Sequence, residues 1–390
     1  MAGVDAFDPG TLARVDENVY AAVERGEVPG VVAGVARGDV VHITTAGALA
    51  LGGTPMRRDT LFRISSMAKP MTAAVVLSLI DDGLVSLDEP IDDVLPELAH
   101  RRVLRRPDGS LEDTDPARRP ITTRDLLTFT WGFGMQGAMF MAKEPWPIFS
   151  ATIERELSTF GPPQPGFMPD QDTWLARLGE LPLLAQPGER WLYQTGSQVL
   201  GVLVSRVAGA PFEDVLRERV FGPLGMHDTA FHAGDSGRLA TAYEMRGGRR
   251  EVSDPPDGQW SRPPAFQDGS GGLVSCIDDV LAFGRMLLHG GGAVLAPETV
   301  GEMTRNQLTP SQRANVWPGF DLLGGRGWGF GVSVEGDGRY TWEGGLGTAW
   351  SNVPSQALTV VVLTQQAASE TGMPEVCDAV LATARAGVSP

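Results

Sequence analysis

The stretch Ser66-Met67-Ala68-Lys69 places a hydroxyl and an amine three positions apart, just before a helix-spaced apolar run over residues 71–83. Side chains at i and i+3 share one face of a helix, and a helix N-terminus favours a developing alkoxide. The lysine is the informative partner. The chain contains two lysines, Lys69 and Lys143, and its other 30 basic residues are arginines. Arginine stays protonated at biological pH, whereas a desolvated lysine can fall from about 10.4 far enough to take or pass a proton. The pattern reads as a serine nucleophile with a lysine proton relay. On this stretch alone it reads equally as a capping serine followed by a snorkelling lysine.

A serine nucleophile needs a base. No GxSxG elbow occurs, and the nearest segments, "GDSGR" and "DGSGG", fail its spacing. A tyrosine can serve if nearby cations lower its pKa from about 10. The chain has four, Tyr20, Tyr193, Tyr243 and Tyr340. Tyr193 stands apart in "QPGERWLYQTGSQVLGVLVSRVAG", where a Pro-Gly turn and a short exposed segment lead into an apolar-periodic helix. Metal chemistry has no support: the five histidines form no HxxxH and the two cysteines, Cys276 and Cys377, no CxxC, so both read as structural and no metal or cofactor is expected. The glycine run "LLGGRGWGFGV" lacks the Lys-Ser/Thr of a phosphate loop and leads into a strand.

These residues must be positioned by a large framework. With 390 residues, 42% hydrophobic and 21% charged, the chain is long enough for a core and a second lobe. A net charge of −16 argues against a nucleic-acid surface and leaves small molecules as partners. No stretch reaches eighteen apolar residues, and Met1-Ala2-Gly3-Val4-Asp5-Ala6-Phe7-Asp8 has neither a basic nor an apolar leader region. No membrane association and a cytoplasmic location are expected. Residues 11–26 read as a helix, and the segments around Arg37-Gly38-Asp39 as a hairpin with Gly38 in the turn. From residue 265 onward a helix, four strand-like segments and a closing helix follow, while residues 89–264 interleave helical patterns with Pro-rich loops. The expected class is α/β (α+β): an antiparallel sheet formed by both chain ends (1–88 and 265–390), flanked by helices, with an inserted mostly helical lobe (89–264) and the active site between them. Residues 130–149, "TWGFGMQGAMFMAKEPWPIF", cannot be one regular helix and suit either a pocket wall or the core of the lobe.

With Tyr193 in place, the chain resembles the superfamily of class C β-lactamases, DD-peptidases and family VIII carboxylesterases. The markers are "LFRISSMAKP", "ITTRDLLTFTWGFG", "PGERWLYQTGSQVLG", "PLGMHDT", "GSGGLVSCIDDVLAFGRMLL", "GWGFGV" and "WEGGLGTAW", in order across most of the chain. The resemblance implies a β-lactamase/transpeptidase-like fold. It implies that Ser66 is acylated, that Lys69 relays protons, and that Tyr193 is the base that activates Ser66 and later water. The Lys-Thr-Gly motif of the lactamases falls on Trp342-Glu343-Gly344, and the backbone N–H groups of Ser66 and Gly345 would form the oxyanion hole. Expected substrate-binding residues are Trp342, Gly344, Thr195, Trp131 and Phe133. Trp342 and Thr195 replace the lysine and asparagine with which lactamases hold a carboxylate and an amide, and an indole cannot replace an ammonium. Trp342 is instead the family VIII esterase pattern. The expected activity is hydrolysis of small, neutral esters, with acyl transfer, β-lactam hydrolysis or D-amino-acid peptidase activity as alternatives. Arg339 is the cation near this motif in sequence. A non-catalytic binding protein is opposed by the presence of all three side chains.

Overall fold

β-Branched runs near the two ends of the chain have no polar face of their own, and they solve this by pairing with each other. The computed structural model describes residues 7–314 and 322–388. Its main sheet contains β1 (Gly30–Arg37), β2 (Val40–Gly47), β3 (Gly327–Trp328), β4 (Ser333–Val334), β5 (Tyr340–Gly344), β6 (Thr348–Val353) and β7 (Leu358–Thr364). The order is β2-β1-β7-β6-β5-β4-β3, and every pair is antiparallel. β1 and β7, from opposite ends of the chain, pair inside the sheet with Val31 opposite Thr364 and Arg37 opposite Leu358. The expected hairpin forms with Gly38 at φ 54°.

Five helices frame the sheet and the site: α1 (Thr11–Glu24), α2 (Ala68–Asp81), α3 (Thr195–Ala208), α4 (Ile277–Leu288) and α5 (Glu375–Ala386). Strand alternation sends Val31, Ala33, Val35, Val360 and Val362 to one side, against Val15 and Val19 of α1 and Val376 and Val380 of α5. Val32, Ala36, Val361 and Leu363 join the other core, with Ile277 and Leu281 of α4. Both faces being covered, β7 is buried along its whole length and carries an apolar run over residues 360–363 instead of an alternating pattern. α2 is buried from Ala68 to Leu79 and so has no wet face. It runs against α3, which is itself buried from Thr195 to Ser205.

The segment 89–264 contains the expected helices, among them Thr123–Leu127, Gln171–Gly179, α3 and Phe212–Leu216. It is less purely helical than its patterns suggest. Arg102–Leu104 pairs with Thr114–Pro116, and Ala242–Arg246 with Arg249–Asp254. The second hairpin turns on Gly247-Gly248, at φ 53° and 77°, a dipeptide signal for such a turn. Residues 130–149 break as expected, into the short helices Gly137–Met141 and Pro147–Glu154. Residues 1–6, part of the segment read as lacking a leader, lie outside the described residues, and no described helix is long and apolar enough to cross a membrane.

The hairpin ending at Asp254 also anchors the approach to the nucleophile. Arg63, three residues before Ser66, donates Nε–H to Asp254 Oδ2 at 2.9 Å and Nη1–H to the Ala240 carbonyl at 2.6 Å, and both ionic side chains are almost fully buried. Removing one partner strands the other charge in the interior. Asp254→Ala should therefore lower the unfolding free energy by about 3–5 kcal/mol, read by urea denaturation. The Arg63→Met/Asp254→Leu double variant should lose less. Equal losses in both would show that the pair is held by something other than charge balance.

Candidate active site

A two-residue strand, Phe62–Arg63, paired with Val274–Ser275, carries the chain to the base of α2. The backbone then tightens into a 3₁₀ turn at Ser65–Met67, with Ser65 at φ 48°, a left-handed conformation that a non-glycine residue holds only under constraint. Ser66 follows at the helix entrance and Lys69 one turn on. Lys69 Nζ donates to Ser66 Oγ at 2.9 Å and to the Ser270 carbonyl at 2.6 Å. It is completely buried. Burial pushes its pKa down to about 7, against the opposing attraction of Asp268. Asp268 is buried too, where its Oδ1 accepts the Ser270 N–H at 2.7 Å and its Oδ2 accepts from Gln198 of α3 at 3.3 Å.

Tyr193 arrives from the opposite wall. Its backbone exchanges hydrogen bonds with Met135, 2.9 Å from Tyr193 N to Met135 O and 2.8 Å in return. This contact requires Gly134, because a Cβ there would stand 2.6 Å from the carbonyl oxygens of Leu192 and Tyr193. Gln194, next in the chain, sits at φ 82°, so strained backbone adjoins both Ser66 and Tyr193. The tyrosine ring lies 4.6 Å from Lys69 Nζ, and its hydroxyl bonds with Ser66 and accepts Trp342 Nε1–H at 3.0 Å. Phe129, Trp191 and Trp342 surround the ring at centroid distances of 5.9, 5.6 and 5.5 Å. Burial pushes the Tyr193 hydroxyl well above the ordinary tyrosine value, with the hydrogen bonds from Ser66 and Trp342 only partly offsetting it. The expected lowering by cations is thus outweighed by burial, although Arg326 acts in that direction.

Ser66 and Tyr193 open on a cavity of about 360 Å³ whose wall includes Met135, Leu322, Trp342 and Gly345. Gly345 has open space where a Cβ would stand, whereas at Gly344 a Cβ would collide with the Ile64 carbonyl at 2.2 Å. Gly344 therefore packs β5 against the segment leading to Ser66 and does not line the cavity. Three other expected substrate-binding residues also lie elsewhere. Trp131 and Phe133 are fully buried in the main core, and Thr195 is buried at the start of α3 with its hydroxyl unpartnered. Arg339 immediately precedes β5 and pairs with Glu335 at 3.4 Å, away from the cavity. Two charged residues that the sequence reading passed over, Arg326 and Glu343, stand in the cavity wall as an ion pair at 3.1 Å. The signal for Glu343 was its place inside the third motif; Arg326 lay in the glycine run and had none.

Comparison with known proteins follows the same lines. The family model described as Beta-lactamase matches residues 15–385. Protein Rv1367c of Mycobacterium tuberculosis (strain ATCC 25618 / H37Rv) is 40% identical over 339 residues, covering 80% of this chain and 79% of that one. Esterase EstB of Burkholderia gladioli is 30% identical over 399 residues, covering 93% and 92%. Among solved structures, EstCE1, described as a hydrolase with promiscuous acyltransferase activity, has a TM-score of 0.78 and 26% identity over 95% of this chain and 98% of its own. The flanked antiparallel sheet is the β-lactamase/transpeptidase-like fold, and the chain belongs to the Beta-lactamase family, resembling its family VIII esterase type.

Proposed function

We propose that the protein is a serine carboxylesterase that cleaves small neutral esters through an acyl-enzyme on Ser66. The observation that carries this reading is the 2.9 Å bond between Ser66 Oγ and a fully buried Lys69 amine, at the floor of a largely apolar cavity. The likeness to Esterase EstB and EstCE1 supports it.

The pKa directions favour Lys69 over Tyr193 as the base. With a pKa near 7, a useful fraction of Lys69 is neutral at neutral pH and accepts the Ser66 proton as Oγ attacks the ester carbonyl carbon. The backbone N–H groups of Ser66 and Gly345 are assigned to the oxyanion, in which role each is worth about 3 kcal/mol. A tyrosine of raised pKa suits the next step, relaying the proton from the Lys69 ammonium through its hydroxyl to the departing alkoxide, whose own pKa is high, so that Lys69 is neutral again. Collapse of the tetrahedral intermediate breaks the C–O bond and leaves the ester of Ser66. Water then attacks that ester and gives its proton to the neutral Lys69 amine, which returns it to Ser66 Oγ as the second tetrahedral intermediate collapses, releasing the acid and free Ser66. Trp342 Nε1–H occupies a lone pair of Tyr193 Oη and thereby orients the hydroxyl. A second reading, delivery of the acyl group to an alcohol, is favoured by the acyltransferase activity in the description of EstCE1. Adding an alcohol and analysing the products for a new ester separates the two.

Three outcomes test these roles. A fluorophosphonate probe should label Ser66 and no other serine, and Ser66→Ala should lose several orders of magnitude in turnover of p-nitrophenyl butyrate. Labelling at Ser65 overturns the assignment. Because Lys69 must be neutral to act, kcat/KM should rise with pH through about 7 and level off above it. Lys69→Arg, which stays charged, should retain less than about a tenth of the activity. A profile flat between pH 6 and 8 removes Lys69 from the base role. Finally, with Trp342 where lactamases carry a lysine, kcat/KM for p-nitrophenyl butyrate should exceed that for benzylpenicillin by at least about a hundredfold, since a lost charge-assisted bond and a poorly solvated carboxylate each cost more than about 1.4 kcal/mol. Comparable values mean that the site accepts carboxylates after all.

A further inference from the structure

Among the described residues, the wall of the cavity contains one cation, Arg326, and one anion, Glu343. Four hydrogen bonds hold the guanidinium. Its Nη1 donates to Glu343 Oε1 at 3.1 Å and Oε2 at 3.4 Å, its Nε to the Leu323 carbonyl at 2.9 Å, and its Nη2 to the Leu322 carbonyl at 3.3 Å. Its flat face lies 5.3 Å from the Trp342 ring centroid. Neither side chain is sealed off: 21% of the Arg326 side chain and 32% of that of Glu343 remain exposed. The pair thus fronts the space a substrate must enter, with its positive partner already satisfied.

We propose that Glu343, by occupying Arg326, is the charge filter of this cavity: it excludes esters bearing a carboxylate and leaves neutral and cationic esters as the substrate class. An incoming carboxylate would have to displace Glu343 from the guanidinium and then sit beside the freed negative charge, with no second cation in the wall to compensate. An ammonium group meets the carboxylate of Glu343, the more exposed partner of the pair at 32% against 21% for Arg326. This inference rests on the esterase reading and specifies its substrate.

The test measures ratios of kcat/KM between charged and uncharged partners on one enzyme preparation, so that any loss of folded protein cancels. Mono-p-nitrophenyl adipate against p-nitrophenyl hexanoate places a carboxylate on the acyl side; 4-acetoxybenzoate against 4-acetoxybenzamide places it on the alcohol side. Acetylcholine against 3,3-dimethylbutyl acetate provides the cation. Glu343→Gln should raise the anion-to-neutral ratio of at least one pair by about tenfold or more, the gain expected from one charge-assisted hydrogen bond. Arg326→Met should move preference the opposite way, raising the cation-to-neutral ratio severalfold and leaving the carboxylate esters excluded. Opposite signs in the two variants are what a general loosening of the site would not produce. Ratios within about twofold of the unsubstituted protein for all three pairs, while neutral esters are still turned over through Ser66, overturn the filter and leave the esterase intact. Absence of Ser66-dependent turnover of every neutral ester overturns the esterase reading and the filter with it.

Discussion

Everything at the site follows from the cost of placing one amine where water cannot reach it. Lys69 is completely buried, and its described hydrogen bonds go to a hydroxyl and a carbonyl and to no carboxylate. A protonated amine in such surroundings is expensive, and the system responds by lowering its affinity for the proton. The surrounding architecture maintains that cost. α2 has no solvated face from Ala68 to Leu79, and α3 packs along it. Asp268 limits the shift through space, held by Gln198 and the Ser270 amide instead of touching the amine. Had a carboxylate bonded directly to Lys69, the proton would have stayed on the nitrogen.

The same framework holds strained backbone in place. Ser65 and Gln194 both occupy positive φ, one next to Ser66 and the other next to Tyr193, and such conformations persist only where packing over-determines them. The close approaches at Gly134 and Gly344 bring Tyr193 and the Ser66 turn within reach of each other without room for a methyl group. The Arg63–Asp254 pair secures the same turn from behind.

What was legible in the sequence was what is local. Ser66 and Lys69 are three residues apart on one helical turn, and the isolation of Lys69 among arginines marked it; the paired strands at the two ends announced themselves by β-branched runs. Tyr193 was legible as a residue, and the resemblance implied a base there, but its raised pKa was not legible, because it follows from burial among Phe129, Trp191 and Trp342, which come together only in the fold. The segment 130–149 was readable as irregular, yet which of its residues face the cavity was not: Met135 does, while Trp131 and Phe133 turn into the core. An irregular chain has no period from which to assign a face. Thr195 was carried over from a motif, and the strain at Gln194 places it at the buried start of α3 instead.

The exchange of an ammonium for an indole at residue 342 links substrate choice to the route of the proton. An ammonium beside Tyr193 Oη would stabilise the phenolate and hold its pKa down. Trp342 still donates a hydrogen bond there, at 3.0 Å, but brings no charge. The nearest ionic pair does not make up the difference, since Arg326 lowers the Tyr193 pKa and Glu343 raises it. The hydroxyl pKa therefore stays raised, which in the proposed mechanism leaves the buried amine to accept the Ser66 proton. Under the proposed mechanism a neutral residue at this one position accordingly does two things: it offers no fixed positive charge to a substrate carboxylate, and it leaves proton abstraction to Lys69 instead of the tyrosine.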